Sequence, residues 1–131
     1  MHTIAMRLLP GKDLKRTLLE LCARRDIEAA CVVSCVGSVR KAIVRFADKE
    51  EGSELDGARE IVSLVGTLSR HGAHLHVSLS DGEGRVVGGH LLEGTEIHTT
   101  AEIVLGILHG MAFRRAYDER TGYKELVIDE E

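Results

Sequence analysis

Tryptophan is absent from this chain of 131 residues, and phenylalanine and tyrosine contribute two residues each. Surfaces that read unpaired bases stack them on aromatic rings, and an aromatic content of 3% leaves little material for such a platform. An excess of positive charge is also missing. Lys and Arg total 17 against 21 Asp and Glu, a net charge of −4, so no general field draws the protein to DNA or an anionic membrane. With one proline and 14 glycines, the chain favours tight turns over stiff linkers. No apolar run reaches the length of a membrane span, and the first residues lack the basic-then-apolar order of a signal peptide. A cytoplasmic address is expected. The three cysteines, Cys22, Cys31 and Cys35, are odd in number and form no Cys-x-x-Cys pair, so they read as small buried apolar residues of a reducing compartment. There is no internal repeat, phosphate-binding glycine loop or Gly-x-Ser-x-Gly elbow. The length suits one domain over residues 1–131 with a real core.

What the chain does have is a histidine-bearing hairpin between Gly72 and Leu91. Leu75, Val77 and Leu79 alternate with His74, His76, Ser78 and Ser80, the period of a strand with two unlike faces. Asp81-Gly82-Glu83-Gly84 supplies a turn, and Val86 to Leu91 returns. A hairpin centred near Glu83 sets Leu79 opposite Val87, Ser78 opposite Gly88 and His76 opposite His90. Directly opposed residues lie about 5 Å apart at Cβ. His74, His76 and His90 then share one face, with Gly88 leaving room beside them. Three neutral imidazoles with an open position suit a divalent metal such as zinc. The expectation hangs on register, because a slip of one residue turns His90 to the other face.

The remaining elements follow from the same patterns. His2 to Leu8 alternates as a strand that Pro10-Gly11 ends. Asp13 is placed to cap a helix whose stripe is Leu14, Leu18, Leu21 and Cys22, with Arg24 and Arg25 in its last turn. Ala29 to Val36 reads as a buried strand, Gly37-Ser38 as a bend, and Val39 to Ala47 as a further strand with Ala42, Val44 and Phe46 on one side. Arg40, Lys41 and Arg45 on that strand read as a solvated face. Asp48 to Gly57 reads as an acidic surface loop, Glu60 to Leu68 as a strand, and Arg70-His71-Gly72 as a turn with His71 exposed. Leu92 to Glu96 reads as a bend. Ile97 to Leu108 fits both periods, and its β-branched residues and Gly106 favour strand. Ala112 to Tyr117 and Tyr123 to Ile128 pair across a turn at Asp118 to Gly122. His98 and His109 read as structural. The expected fold class is α+β: a strongly bent, mainly antiparallel sheet of about seven strands with one principal amphipathic helix.

Three segments carry a family resemblance: Gly72 to Asp81, Gly84 to Leu91, and Thr99 to Gly106. Together they resemble the PPC domain of plants and prokaryotes (also called DUF296), joined to AT-hooks in plants. Arg59 to Leu64 and the closing Thr121 to Leu126 add to the likeness, which runs nearly end to end. The resemblance implies a mainly antiparallel sheet with one helix, strand at Ile103 to Leu108, and assembly as a homotrimer. It also implies that His74, His76 and His90 hold a metal, commonly zinc, near subunit boundaries.

The function expected is that of a metal-binding homotrimer, DNA-associated or regulatory. The AT-hook core Arg-Gly-Arg-Pro is missing, so DNA would have to meet a local cluster: Arg40, Lys41 and Arg45, or Arg114, Arg115 and Arg120. One alternative is a zinc-dependent hydrolase or lyase, with water on an open three-His metal. Glu93, Glu96 or Glu102 would be its base, and Ser78 would orient the ligand. Another is a sensor whose metal or small-molecule ligand stabilises the trimer by mass action.

Overall fold

The computed structural model describes residues 1–130. Its elements run β1 (His2–Leu8), α1 (Leu14–Arg24), β2 (Ala30–Arg45), β3 (Ser53–Ser69), β4 (Gly72–Ser80), β5 (Val86–Leu91), β6 (Glu96–Ile107), β7 (Met111–Asp118) and β8 (Tyr123–Glu130). Six strands form one sheet in the order β1-β6-β2-β3-β4-β5, and β7 and β8 form a separate two-stranded hairpin. Every pairing is antiparallel. The class expected from sequence holds, with eight strands in place of about seven.

The sheet bends until its edge meets its middle. The far end of β2 pairs with β5 through Val44 opposite Leu91 and Arg45 opposite His90. Strands β2 to β5 thereby curl around a shared interior, where Val44, Leu75, Val77, Leu79 and Leu91 are buried. The alternation of β4 sets these leucines and valine inward and turns the histidines outward.

Helix α1 covers part of the same core. Leu14, Leu18, Leu21 and Cys22 are buried at the spacing of a single stripe. The Asp13 carboxylate accepts from the backbone N–H of Arg16 at 3.0 Å and from that of Gly94 at 2.7 Å. One side chain thus caps the helix and ties it to the bend before β6. Truncating the fully buried Leu18 to Ala would cost about 2–5 kcal/mol.

Three local expectations need correction. Ala30 to Arg45 is one continuous strand, not two strands bent at Gly37-Ser38. It accommodates curvature through register shifts around Val32 to Lys41. Gly37 has a different task, since a Cβ there would stand 2.1 Å from the Thr100 carbonyl oxygen. The first half of β2 is not buried throughout: Val33 and Val36 are 54% and 62% exposed, and Cys31 and Cys35 are only partly covered. Finally, the acidic loop is shorter than its composition implies. Ser53 to Asp56 already pair with β2, and Glu54 meets Lys41 at 3.3 Å.

The β7–β8 hairpin is fastened to the main sheet at one buried point. Ser69 Oγ donates to the Phe113 carbonyl at 2.6 Å and accepts from the His71 N–H at 3.0 Å. The Phe113 N–H donates to the Glu28 carbonyl at 2.8 Å. These bonds hold β7 beside the Gly72 end of β4.

Candidate metal centre

The hairpin of β4 and β5 takes the register that places His76 opposite His90, Ser78 opposite Gly88 and Leu79 opposite Val87. Ring centroids of His74 lie 5.0 Å from those of both His76 and His90, and His76 lies 5.9 Å from His90. One ring nitrogen from each falls within 4.8 Å of the others. The expected trio is therefore brought together on one face. Among the described residues, no fourth His, Cys, Asp or Glu joins this group.

Two glycines make the approach of strands possible. A Cβ at Gly88 would sit 2.4 Å from the Val77 carbonyl oxygen and 3.3 Å from Ser78 Oγ. At Gly66, whose φ is +146°, a Cβ would meet the His74 carbonyl oxygen at 2.0 Å. The nearest contact at each glycine is with a backbone carbonyl, which cannot swing aside.

The electrostatics favour neutral rings at His74 and His90. Burial depresses His90 to about 4, assisted by the positive charges of Arg45 and Lys15. Burial also lowers His74, with help from His76 and Arg115. A neutral imidazole offers a nitrogen lone pair to a metal, and an imidazolium does not. The donor set and its spacing fit a divalent ion such as zinc.

Two cavities flank the trio. One, of about 410 Å³, lies between the histidines and the β7–β8 hairpin, lined among others by Arg45, His74, His90, Arg115, Tyr123 and Glu125. The other, of about 280 Å³, reaches Phe46 and Asp48 and includes His76 and Gly88. The Arg45 guanidinium carbon lies 5.3 Å from the centroid of the Tyr123 ring. Arg115 Nη2 donates to Thr67 Oγ1 at 3.1 Å. Burial pulls Arg115 below its usual guanidinium range, with the Glu125 charge partly opposing.

Other sequence candidates lie apart from this centre. Glu93 pairs with Arg16 at 3.7 Å and Glu96 with Arg40 at 2.9 Å, and Glu102 stands opposite Arg7 across the β1–β6 pairing. None of these three carboxylates lines either flanking cavity; Glu125 does. His98 is exposed on β6. His109 stacks on His2, with Nε2 2.6 Å from His2 Nδ1. His71 lies 3.5 Å from Glu28 and lines the larger cavity without joining the trio. The basic clusters are broken up by ion pairs: Arg40 with Glu96, Lys41 with Glu54, Arg114 with Asp129 and Arg120 with Asp118. Arg45 and Arg115 turn instead to the cavity. Cys22 and Cys35 are both pushed up to about 11 by burial and remain thiols at neutral pH.

Residues 1–109, which include α1 and the whole six-stranded sheet, match the model of the Plants and Prokaryotes Conserved (PCC) domain. A curated relative, the Bifunctional protein GlmU of a Synechococcus strain (JA-3-3Ab), is 44% identical over 124 residues. The match takes in 95% of this chain but only 20% of that relative's length. A solved hypothetical protein from Salmonella enterica superposes with a TM-score of 0.95 at 36% identity, covering 98% of this chain and 94% of the other. The metal-containing protein AF0104 from Archaeoglobus fulgidus superposes with a TM-score of 0.82 at 34% identity, covering 97% and 94%.

Proposed function

This chain belongs to the Plants and Prokaryotes Conserved domain family, and we propose that it is a metal-binding homotrimer whose three-histidine centre offers an open coordination position to a small ligand. The observation that carries this reading is the trio itself: three ring nitrogens within 4.8 Å, on a hairpin of fixed register, beside a cavity of about 410 Å³. His74, His76 and His90 would hold the ion, with zinc the metal best matched to three imidazoles and a solvent-derived fourth ligand. The Archaeoglobus relative, described as metal-containing, supports the same reading.

The trimer is supported by apolar surface in the middle of the sheet. Val33 and Val36 on β2 and Val62 and Val65 on β3 are all more than half exposed. β2 and β3 are paired neighbours at the centre of the strand order. Exposed β-branched residues gathered on adjacent strands mark an association surface.

A second reading, a zinc-dependent hydrolase or lyase, is favoured by Glu125. Its carboxylate lines the cavity that His74 and His90 also line, so a base could stand near metal-bound water.

The test is metal analysis of the purified untagged chain beside His76→Ala, with oligomer mass measured for both. One zinc per chain, lost in the variant while a trimeric mass is kept, supports the proposal. Metal-free protein in both cases, after incubation with zinc, contradicts it.

A further inference from the structure

The larger cavity has a charge that the rest of the molecule does not predict. The chain carries a net charge of −4, yet Arg45, Arg115 and Lys124 line this one cavity against a single carboxylate, Glu125. Several arginines outside the cavity close on carboxylates: Arg40 on Glu96, Arg70 on Asp26, Arg85 on Asp81, Arg114 on Asp129 and Arg120 on Asp118, while Arg7 and Arg59 meet neutral oxygens on the open surface. Among the described residues neither Arg45 nor Arg115 makes such a pair. Arg114 and Arg115 are consecutive on β7, so their side chains leave opposite faces. One meets Asp129 across the hairpin, and the other enters the cavity.

Both cavity arginines are held by partners that leave charge uncancelled. Arg45 is placed by the β2–β5 pairing opposite His90, lies against the Tyr123 ring and donates to the Lys49 carbonyl at 3.2 Å. Arg115 is steadied by Thr67 Oγ1 at 3.1 Å, and Thr67 is itself the register partner of His74. A guanidinium fixed by neutral acceptors and partly stripped of water retains donors for a planar oxyanion. Cavity volume suits a small molecule rather than a polymer.

We propose that this cavity binds a small organic oxyanion, a carboxylate or a phosphate ester, with Arg45 and Arg115 pairing its charge and one of its oxygens directed to the open metal position. The inference rests on the metal reading above and names the ligand class of that same centre. Lys124 adds charge at the rim, and Glu125 selects against ligands that bring a second anionic group to its side of the cavity.

Zinc-loaded full-length protein is titrated by calorimetry with inorganic phosphate and, separately, with malonate, at constant ionic strength set by chloride. Metal content is measured before and after each titration. The variants are the double substitution Arg45→Gln with Arg115→Gln, its Lys counterpart, and Arg40→Gln, whose partner Glu96 lies outside the cavity. All are checked by thermal melting. Saturable binding of at least one probe, weakened about tenfold or more in the Gln double variant, is expected. The Lys double variant should fall between, Arg40→Gln should match the parent, and zinc should remain at one per chain. A preference for phosphate or for malonate assigns the class. Full zinc content with neither probe bound, or with equal binding by the Gln double variant, overturns this inference and leaves the metal reading standing. Absence of zinc from the parent protein overturns both.

Discussion

Arg45 and His90 are register partners in the two-residue pairing that joins β2 to β5. That pairing closes the curl of the sheet, and it sets a permanent cation against a histidine of the candidate metal centre. The cation helps, after burial, to keep His90 uncharged down to about pH 4. The geometry that closes the fold is thus also the geometry that prepares the site.

Gly88 is the close-packed point between the two strands that carry the trio. Gly88→Ala would drive a methyl to 2.4 Å from the Val77 carbonyl oxygen, so β5 must move away from β4. The expected cost is about 1–3 kcal/mol of stability, read from denaturant unfolding. Zinc affinity should fall with it, because His90 rides on the same strand. Gly82→Ala, where a Cβ meets nothing within 4 Å, is the control and should leave zinc affinity unchanged.

Ser69 fastens the β7–β8 hairpin. Ser69→Ala strands a buried Phe113 carbonyl and the His71 N–H, at a cost of about 1–3 kcal/mol. Hydrogen exchange in β7 and β8 should accelerate more than in β4, since the latter keeps its own sheet partners on both sides.

The exposed valines predict the oligomer. Val36→Glu combined with Val62→Glu places charge on the two most exposed valines of β2 and β3, at 62% and 57% exposure. Light scattering should report loss of the trimer, and circular dichroism should report an unchanged strand content. A trimer that survives both charges would locate the interface elsewhere.

The cysteines give the protein an alkaline limit. Cys22 and Cys35 titrate near 11 in the fold against 9.0 for a free thiol. The folded pKa is raised, so above pH 9 the unfolded chain releases protons that the folded chain retains. Stability should therefore be lost as pH rises from 9 toward 11. Unfolding measured across that range should show a shallower decline for Cys22→Ala combined with Cys35→Ala.

Much of this was legible in the sequence because it is local. The histidine hairpin has a strict period of two and a glycine turn, which together fix register within a short stretch and bring His74, His76 and His90 to one face. The stripe and cap of α1 are equally local. What escaped reading depends on contacts between distant segments. Arg45 reads as one charge of a solvated strand until the curl sets it beside His90. Arg115 and Glu125 belong to a hairpin whose docking depends on Ser69, and no nearby residue announces it. Gly37 resembles a bend in sequence, and only its closeness to Thr100 reveals the need for a missing side chain. Val33 and Val36 sit in an apolar run that suggests burial, yet the fold leaves both more than half exposed.

Zinc titration against a chromophoric chelator is the decisive measurement for the three-histidine site. The parent protein should bind one zinc per chain, and His74→Ala, His76→Ala and His90→Ala should each weaken binding by about a hundredfold or more. His98→Ala and His109→Ala should bind as the parent does. Equal zinc affinity in His76→Ala and the parent would contradict zinc binding by this trio.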